Sequence, residues 1–306
     1  MNLHASARMP LVSVVIPVFN DAGRLDMCLR ALSRQTLPAE RFELIVVDNG
    51  SSPSAAELLA MRHTAVHWAS EPTPGSYAAR NRGIALARGD VIAFTDSDCV
   101  PAEDWLETGV AALCSLENCG LVAGRIETFV PNDPNVAELY DSVAAFPQEE
   151  YVERLHFGAT ANVFTTAEVI RSVGPFNTAM KSGGDCEWGQ RVHAAGYRQM
   201  YSAEARVLHP ARPSLRALVD KRRRLAGGAC LFDRSGHSTP TATWRRVLLV
   251  VGTRIIPFPG HFAFLWRNTR LYRFGERLLL IALQYLLNTV YAFEYVRIVL
   301  GGTPRR

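Results

Sequence analysis

From Leu11 to about Asp98 the chain alternates short apolar runs with stretches of helical periodicity. Val12–Val18 is a β-branched run without polar alternation, the pattern of a parallel strand covered on both faces. Asn20 or Asp21 can cap the segment that follows, where Leu25, Cys28, Leu29 and Leu32 share one helical face. Leu44–Val47 predicts a second strand, ending at Asp48-Asn49-Gly50-Ser51-Ser52. Helices are predicted over Ala55–Arg62, over Tyr77–Ala87 behind Gly75-Ser76, and over Ala102–Cys114. Val66–Ala69 and Val91–Thr95 supply a third and a fourth strand. This βαβα rhythm implies an α/β fold with a doubly wound, mostly parallel sheet.

The rhythm then loosens. Leu121–Val130 predicts a strand, Pro131–Glu150 a loop-rich stretch, Ala167–Val173 and Cys186–Ala195 short helices, and Tyr201–Leu208 a strand leading into His209-Pro210. Past Ser214 the character changes again, with Lys221-Arg222-Arg223-Arg224 followed by a segment rich in Leu, Val, Arg and aromatics. Wound as a helix, Glu276–Leu300 gathers Arg277, Gln284, Asn288, Tyr291 and Tyr295 on one narrow face. The rest of that helix is apolar apart from Glu294 and Arg297. Leu278–Val296 is long enough to span a bilayer, but Gln284, Asn288 and Glu294 oppose it. A helix lying in the membrane interface suits the pattern. Packing against the rest of the chain or a second subunit, and a true span, remain as alternatives.

With 306 residues the chain has room for one large domain, 1–215, and a helical, basic and apolar extension, 216–306. Charge sharpens that division. Residues 1–215 carry 17 Lys+Arg against 25 Asp+Glu, whereas residues 216–306 carry 16 against 4. A basic segment that is also the most apolar one points to anionic lipid, with peripheral membrane contact through 241–306. It does not point to nucleic acid, because Arg222–Arg224 has no accompanying recognition motif. Cys28, Cys99, Cys114, Cys119, Cys186 and Cys230 form no C-x-x-C pair, so thiols in a reducing compartment are expected. No apolar signal core precedes the first strand, which agrees with a cytoplasmic location on the inner face of the membrane.

The candidate chemistry sits where strands end or helices begin. The fourth strand runs directly into Asp96-Ser97-Asp98, two carboxylates at the carboxyl edge of the sheet, where open α/β sheets bind ligands. Such oxygen donors suit Mg2+ or Mn2+, and with it a diphosphate; capping of the next helix is the plainer alternative. Asp48 follows strand two, Asp185 and Glu187 open a helix, and His209 closes a late strand.

With these residues in view the chain resembles glycosyltransferase family 2. The resemblance rests on Ser13-Val14-Val15-Ile16-Pro17-Val18-Phe19-Asn20, Val46-Val47-Asp48-Asn49-Gly50-Ser51-Ser52, Gly75-x-x-x-Ala79-Arg80-Asn81-x-Gly83, Phe94-x-Asp96-Ser97-Asp98 and Gly184-Asp185-Cys186-Glu187. It covers about residues 11–210 and implies the GT-A fold, with a nucleotide-sugar half near 11–100 and an acceptor half near 100–215. It also implies an inverting, metal-dependent transfer from a nucleotide-sugar donor, a UDP-sugar favoured, to a saccharide or lipid-linked acceptor. In that picture Pro17, Val18, Asn20, Asp48, Arg80, Asn81 and Asp96 bind the nucleotide, Asp48 through a base N–H. Asp98 and His209 hold Mg2+ or Mn2+, and Asp185 is the general base. Gly184, Glu187 and Trp188 meet the acceptor, although Gly184 stands where the family often has an acid, which weakens the acceptor contacts.

Each residue also has a plainer reading. Asp48 can simply form its turn, Arg80 can be a solvated helix residue, Asp185 can cap its helix, and Trp188 can fill the core. Among whole-chain alternatives, a silent scaffold that binds nucleotide or a partner enzyme would keep the fold and lack turnover. A sugar-1-phosphate nucleotidylyltransferase would want a Gly-rich loop where Pro17-Val18-Phe19-Asn20-Asp21 stands. Processive polysaccharide synthesis would want a Gln-x-x-Arg-Trp signature that the chain lacks.

Overall fold

A computed structural model describes residues 11–144, 146–235, 240–255 and 273–303. Parts of the C-terminal expectation, residues 256–272 and 304–306, and the start of the chain, residues 1–10, lie outside the described residues. The described chain divides into two compact units. One comprises residues up to 127 with 146–179 and 184–209; the other comprises 128–145, 180–183 and 210 onward.

The first unit is built on an eight-stranded sheet ordered β3-β2-β1-β4-β7-β6-β8-β5. Its parallel half is β1 (Val12–Val18), β2 (Phe42–Asp48), β3 (Val66–Ser70) and β4 (Val91–Thr95). All seven residues of β1 are buried, as an unalternating apolar run at the centre of a sheet must be. Helix α1 (Ala22–Leu32) buries Leu25, Cys28, Leu29 and Leu32, the face its periodicity defined. Helix α2 (Ala55–Leu59) is shorter than its pattern suggested, and α3 (Ser76–Leu86) returns the chain to β4. Gly83 of α3 lies on β1; a Cβ there would stand 2.4 Å from a Val15 methyl, so glycine sets how closely the helix approaches the sheet.

The other half of the sheet is antiparallel where its pairing is defined. β7 (Asn162–Thr166) runs against β4 and against β6 (Cys119–Phe129), and β5 (Val100–Pro101) runs against β8 (Arg198–Pro210). The sequence pattern did not reveal β7, because Asn162, Thr165 and Thr166 hide its apolar character. Its buried polar groups are satisfied internally. Asn162 receives the indole N–H of Trp105 at 2.9 Å and donates to the carbonyls of Arg125 and Ala205; Thr165 donates to Gly120 O at 2.7 Å. Trp105 opens α4 (Trp105–Ser115), which packs its Gly109 beneath the ring of Phe164. Helices α7 (Ala167–Val173) and α8 (Gly184–Ala194) complete this unit together with α6 (Gln148–Leu155).

The expectation of loop for Pro131–Glu150 is corrected, since α5 (Val136–Ala144) and the start of α6 occupy it. Pro131, Pro134 and Pro147 punctuate both helices and obscured them, while Asn135 caps α5 through its side-chain oxygen to the N–H groups of Ala137 and Glu138.

In the second unit α5 packs with α9 (Leu215–Ser235), α10 (Pro240–Ile255) and α11 (Phe274–Val299). One apolar cluster joins Ala137 and Tyr140 to Leu218, Leu280, Leu283 and Leu287; a second joins Ala226, Cys230 and Val247 to Tyr295 and Ile298. Helix α11 buries polar and apolar residues side by side. Its polar stripe faces inward, with Asn288 4% and Tyr295 1% exposed, whereas Leu278, Leu279, Leu286, Phe293 and Leu300 are exposed. Among the described residues it is the helix long and apolar enough to cross a bilayer. All six cysteines are free thiols.

Candidate active site

The carboxyl ends of β1, β2 and β4 present the residues singled out in the sequence. At the end of β2, Asp48 is buried, and its two carboxylate oxygens accept the backbone N–H groups of Ser51 at 2.7 Å and Ala55 at 2.6 Å. The turn role is therefore filled; an ionised carboxylate has about four acceptor positions, so two remain. Asn20, in the left-handed region at φ 51°, joins the same loop by accepting Ser52 N–H and donating its own N–H to Ser51 Oγ. Val18 O, at the end of β1, accepts the N–H of Asn49 at 2.9 Å. These loops border a cavity of about 260 Å³ lined by Asn20, Asp21, Ser51, Ser52 and Leu58.

Beside it runs a connected chain of charge. Arg80 on α3 is 3% exposed and pairs with Asp96 Oδ1 just beyond β4, while its Nε has no hydrogen-bond partner. The solvated-helix reading of Arg80 is thereby excluded. Asp98 follows on the same turn, closed by Cys99 N–H to Asp96 O. The β5–β8 ladder pairs Val100 with Leu208, so His209 falls one position beyond the ladder beside the Asp98 turn, with Nε2 and Oδ2 3.6 Å apart. His209 is buried against the Phe146 ring. Burial pushes the Asp98 carboxyl above its ordinary range; His209 opposes the push and Asp96 adds to it.

Asp185 stands at the first turn of α8. Its Oδ1 accepts the Cys186 N–H at 3.0 Å and the Tyr77 hydroxyl at 3.2 Å. That hydroxyl also accepts the N–H groups of Gly184 and Asp185, and so ties the start of α3 to the start of α8. Burial raises the Asp185 carboxyl, and Arg80, the Cys186 N–H and Tyr77 pull it back. Gly184 is required by contact, since a Cβ would lie 2.7 Å from the Tyr77 ring.

Three of the expected ligand-binding residues have structural partners within the fold. The Glu187 carboxylate is held bidentately by Arg191, which also donates to the carbonyls of Val173 and Pro175. Trp188 is 1% exposed and donates its indole N–H to Gly174 O, so neither ring face is open to a sugar. Asn81 exchanges both amide functions with the backbone of Phe176, at 2.8 and 3.0 Å, and thereby fixes the ring that packs on Tyr77 and Phe94. The sequence reading passed over Tyr77 and Asn49. Asn49 donates to Glu71 O and Thr73 O and accepts Gly75 N–H, which sets the entry to α3. Both lie inside the quoted motifs, at positions that carry no charge to attract notice.

The donor set suits a divalent cation. Asp98 offers a hard oxygen, His209 an imidazole nitrogen and Asp96 a second carboxylate. Among the described residues no three metal-ligating side chains converge, which leaves phosphate oxygens and water to complete a shell, the usual habit of Mg2+.

The sheet order and this edge define the class, and solved structures agree with it. The mannosyltransferase PcManGT of Pyrobaculum calidifontis, in complex with GDP-Man and Mn2+, superposes with a TM-score of 0.66 at 19% identity, over 96% of this chain and 88% of that one. TarS 1–349 of S. aureus, in complex with UDP, follows at 0.52 and 16%, over 96% and 93%. The fold is that of the GT-A glycosyltransferases. The family described as glycosyl transferase family 2 matches residues 13–173. Glycosyltransferase AglE of Haloferax volcanii is 38% identical over 68% of this chain and 69% of its own length. Pre-mycofactocin glycosyltransferase of Mycobacterium tuberculosis is 32% identical over 71% of this chain, which spans 46% of that protein. The chain belongs to glycosyltransferase family 2, and the protein is a glycosyltransferase.

Proposed function

We propose that the protein transfers a sugar, with inversion, from a nucleotide-sugar to an acceptor hydroxyl, with Asp185 as the general base. The observation that carries this reading is the Asp185 carboxylate, which has one oxygen fixed by Tyr77 and Cys186 and a pKa raised by burial. A base so tuned takes a proton more effectively than an ordinary solvated aspartate. As the acceptor oxygen bonds to the anomeric carbon, its proton passes to Asp185 and the bond to the leaving phosphate oxygen breaks on the opposite face. Asp98 and His209 are the residues to hold Mg2+ or Mn2+, which when bound neutralises charge on the departing nucleoside diphosphate. The unpartnered Nε of Arg80 is a donor for the same group. Asp48 holds the loop that borders the nucleoside, and its remaining lone pairs are the ones for a base N–H.

The donor in this reading is a nucleotide-sugar, with UDP-sugars favoured by the family resemblance. The acceptor is a saccharide or a lipid-linked glycan. The outward apolar face of α11, together with exposed Trp244, Leu248 and Leu249 of α10, supports peripheral contact with a lipid surface. Asp185→Asn tests the core of this reading. Transfer should be abolished while metal-dependent nucleotide binding, measured by calorimetry, stays near wild type; normal turnover would remove Asp185 as the base.

A further inference from the structure

Among the described residues of the second unit, several basic side chains gather around one buried acid. Asp141 is 1% exposed and pairs with two basic groups, Arg212 at 2.9 Å and Lys221 at 3.2 Å. Burial pushes the Asp141 carboxyl up, but Lys221 and Arg212 outweigh it and hold it below the ordinary value. Two half-buried guanidiniums beside this group have no acid partner among the described residues. Arg222 on α9 donates to the Tyr140 hydroxyl at 2.5 Å, a neutral partner. Tyr140 in turn donates to Gln284 Oε1 at 2.6 Å, and Gln284 donates to Asn288 Oδ1 at 2.7 Å. That relay holds Arg222 in place without neutralising it. Arg254 on α10 lies over the Tyr291 ring at 4.8 Å and makes no hydrogen bond or ion pair among the described residues. Burial, with repulsion from Arg222, lowers the Arg254 pKa. Arginine stays protonated in proteins, so both charges persist and an anion relieves them.

We propose that Arg222 and Arg254 form a binding site for a phosphoryl or diphosphoryl group within the helical unit. Two guanidinium forks, from two helices, suit a tetrahedral and multiply charged oxyanion, since each can meet a pair of phosphate oxygens. A carboxylate needs only one such fork. The site goes beyond the sugar-transfer reading and stands whether or not Asp185 is the base. Its use to retain a phosphate-bearing acceptor is the part that rests on that reading. A lipid headgroup and a soluble phosphate share this chemistry. The exposed apolar residues of α10 and α11 make both sources worth separate arms of one experiment.

The test uses the full chain in EDTA, so that metal-dependent donor binding is silent. Inorganic diphosphate is titrated by calorimetry, and vesicles of phosphatidylcholine, with and without phosphatidic acid, are tested by co-sedimentation. Wild type should bind at least one probe, and Arg254→Gln should weaken that binding about tenfold or more. Arg245→Gln, a change at an exposed residue of the same helix, should leave it nearly unchanged. Loss confined to diphosphate assigns a soluble source, and loss confined to phosphatidic acid vesicles assigns a headgroup; either supports the site. Arg222→Gln should act like Arg254→Gln. If it fails to fold after losing Tyr140, Arg254→Gln decides alone, because it breaks no hydrogen bond. Binding by Arg254→Gln equal to wild type would overturn the proposal. So would equal weakening by Arg245→Gln, or no binding of either probe by wild type.

Discussion

Replacing Tyr77 by phenylalanine removes a single oxygen from a packed position and isolates what that oxygen does for Asp185. The ring is 6% exposed and stacks on Phe176 at 5.7 Å between centroids, contacts that phenylalanine keeps. What goes is the donation to Asp185 Oδ1 at 3.2 Å and the acceptance of the Gly184 N–H at 2.9 Å. A hydrogen bond to a charged group is worth about 1.5–3 kcal/mol, and the long distance here argues for the lower end. Since about 1.4 kcal/mol corresponds to one pKa unit, the Asp185 carboxyl should rise by roughly one unit. The sign follows from the chemistry. In the proposed role Asp185 acts ionised, burial already raises its pKa, and the loss of a donor raises it further. The acid limb of kcat against pH should therefore move to higher pH by about one unit, with a smaller change on the alkaline plateau. Stability has the matching sign: a carboxyl with a raised folded pKa contributes most in acid, and that contribution is lost as pH rises through the folded value. The assay is kcat from pH 5 upward, on the order of ten points, for wild type, Tyr77→Phe and Asp185→Asn as the baseline. An acid limb that overlays wild type, with kcat lowered equally at every pH, would refute the reasoning and leave Tyr77 a purely structural residue.

Two further outcomes are expected. Asp98→Ala should lose the Mn2+-dependent part of nucleotide affinity, and EDTA should do the same to wild type; unchanged metal dependence in the variant would place the ion elsewhere. Gly109→Ala should destabilise the fold by about 1–3 kcal/mol, because the new methyl would stand 2.2 Å from the Phe164 ring, and overpacking exceeds the helix propensity gained. Urea denaturation reads this directly, and a midpoint equal to wild type would show that Phe164 yields freely.

Much of the first unit was legible because local rules and the tertiary outcome agree. β1, β4 and the buried face of α1 follow from apolar periodicity alone, since a central parallel strand and an amphipathic helix each bury what their sequence period exposes. β7 was not legible. Its Asn162 and Thr165 look like loop residues until the carbonyls of Arg125, Ala205 and Gly120 arrive from distant segments to pair with them. Helix α5 was hidden by flanking prolines and became stable by packing Tyr140 against α9 and α11.

In the site, the sequence by itself determined which acids and bases follow strands, Asp48, Asp96, Asp98 and His209, and that Asp185 opens a helix. Their placement follows from chain continuity, because a carboxylate that directly follows a buried strand emerges at the edge of the sheet. Only the tertiary structure decided their partners. The β5–β8 ladder joins His209 to Asp98 across more than a hundred residues of sequence, and Arg80 reaches Asp96 because Gly83 lets α3 settle on β1. Glu187 and Trp188 found internal partners in Arg191 and Gly174. The orientation of α11 was decided the same way. Its polar stripe was plain in the sequence, but whether the stripe met water or protein depended on Tyr140 and Arg254, which supply Gln284 and Tyr291 with partners inside the unit. A polar group goes where its hydrogen bonds can be completed, and a linear pattern states the need without naming the partner.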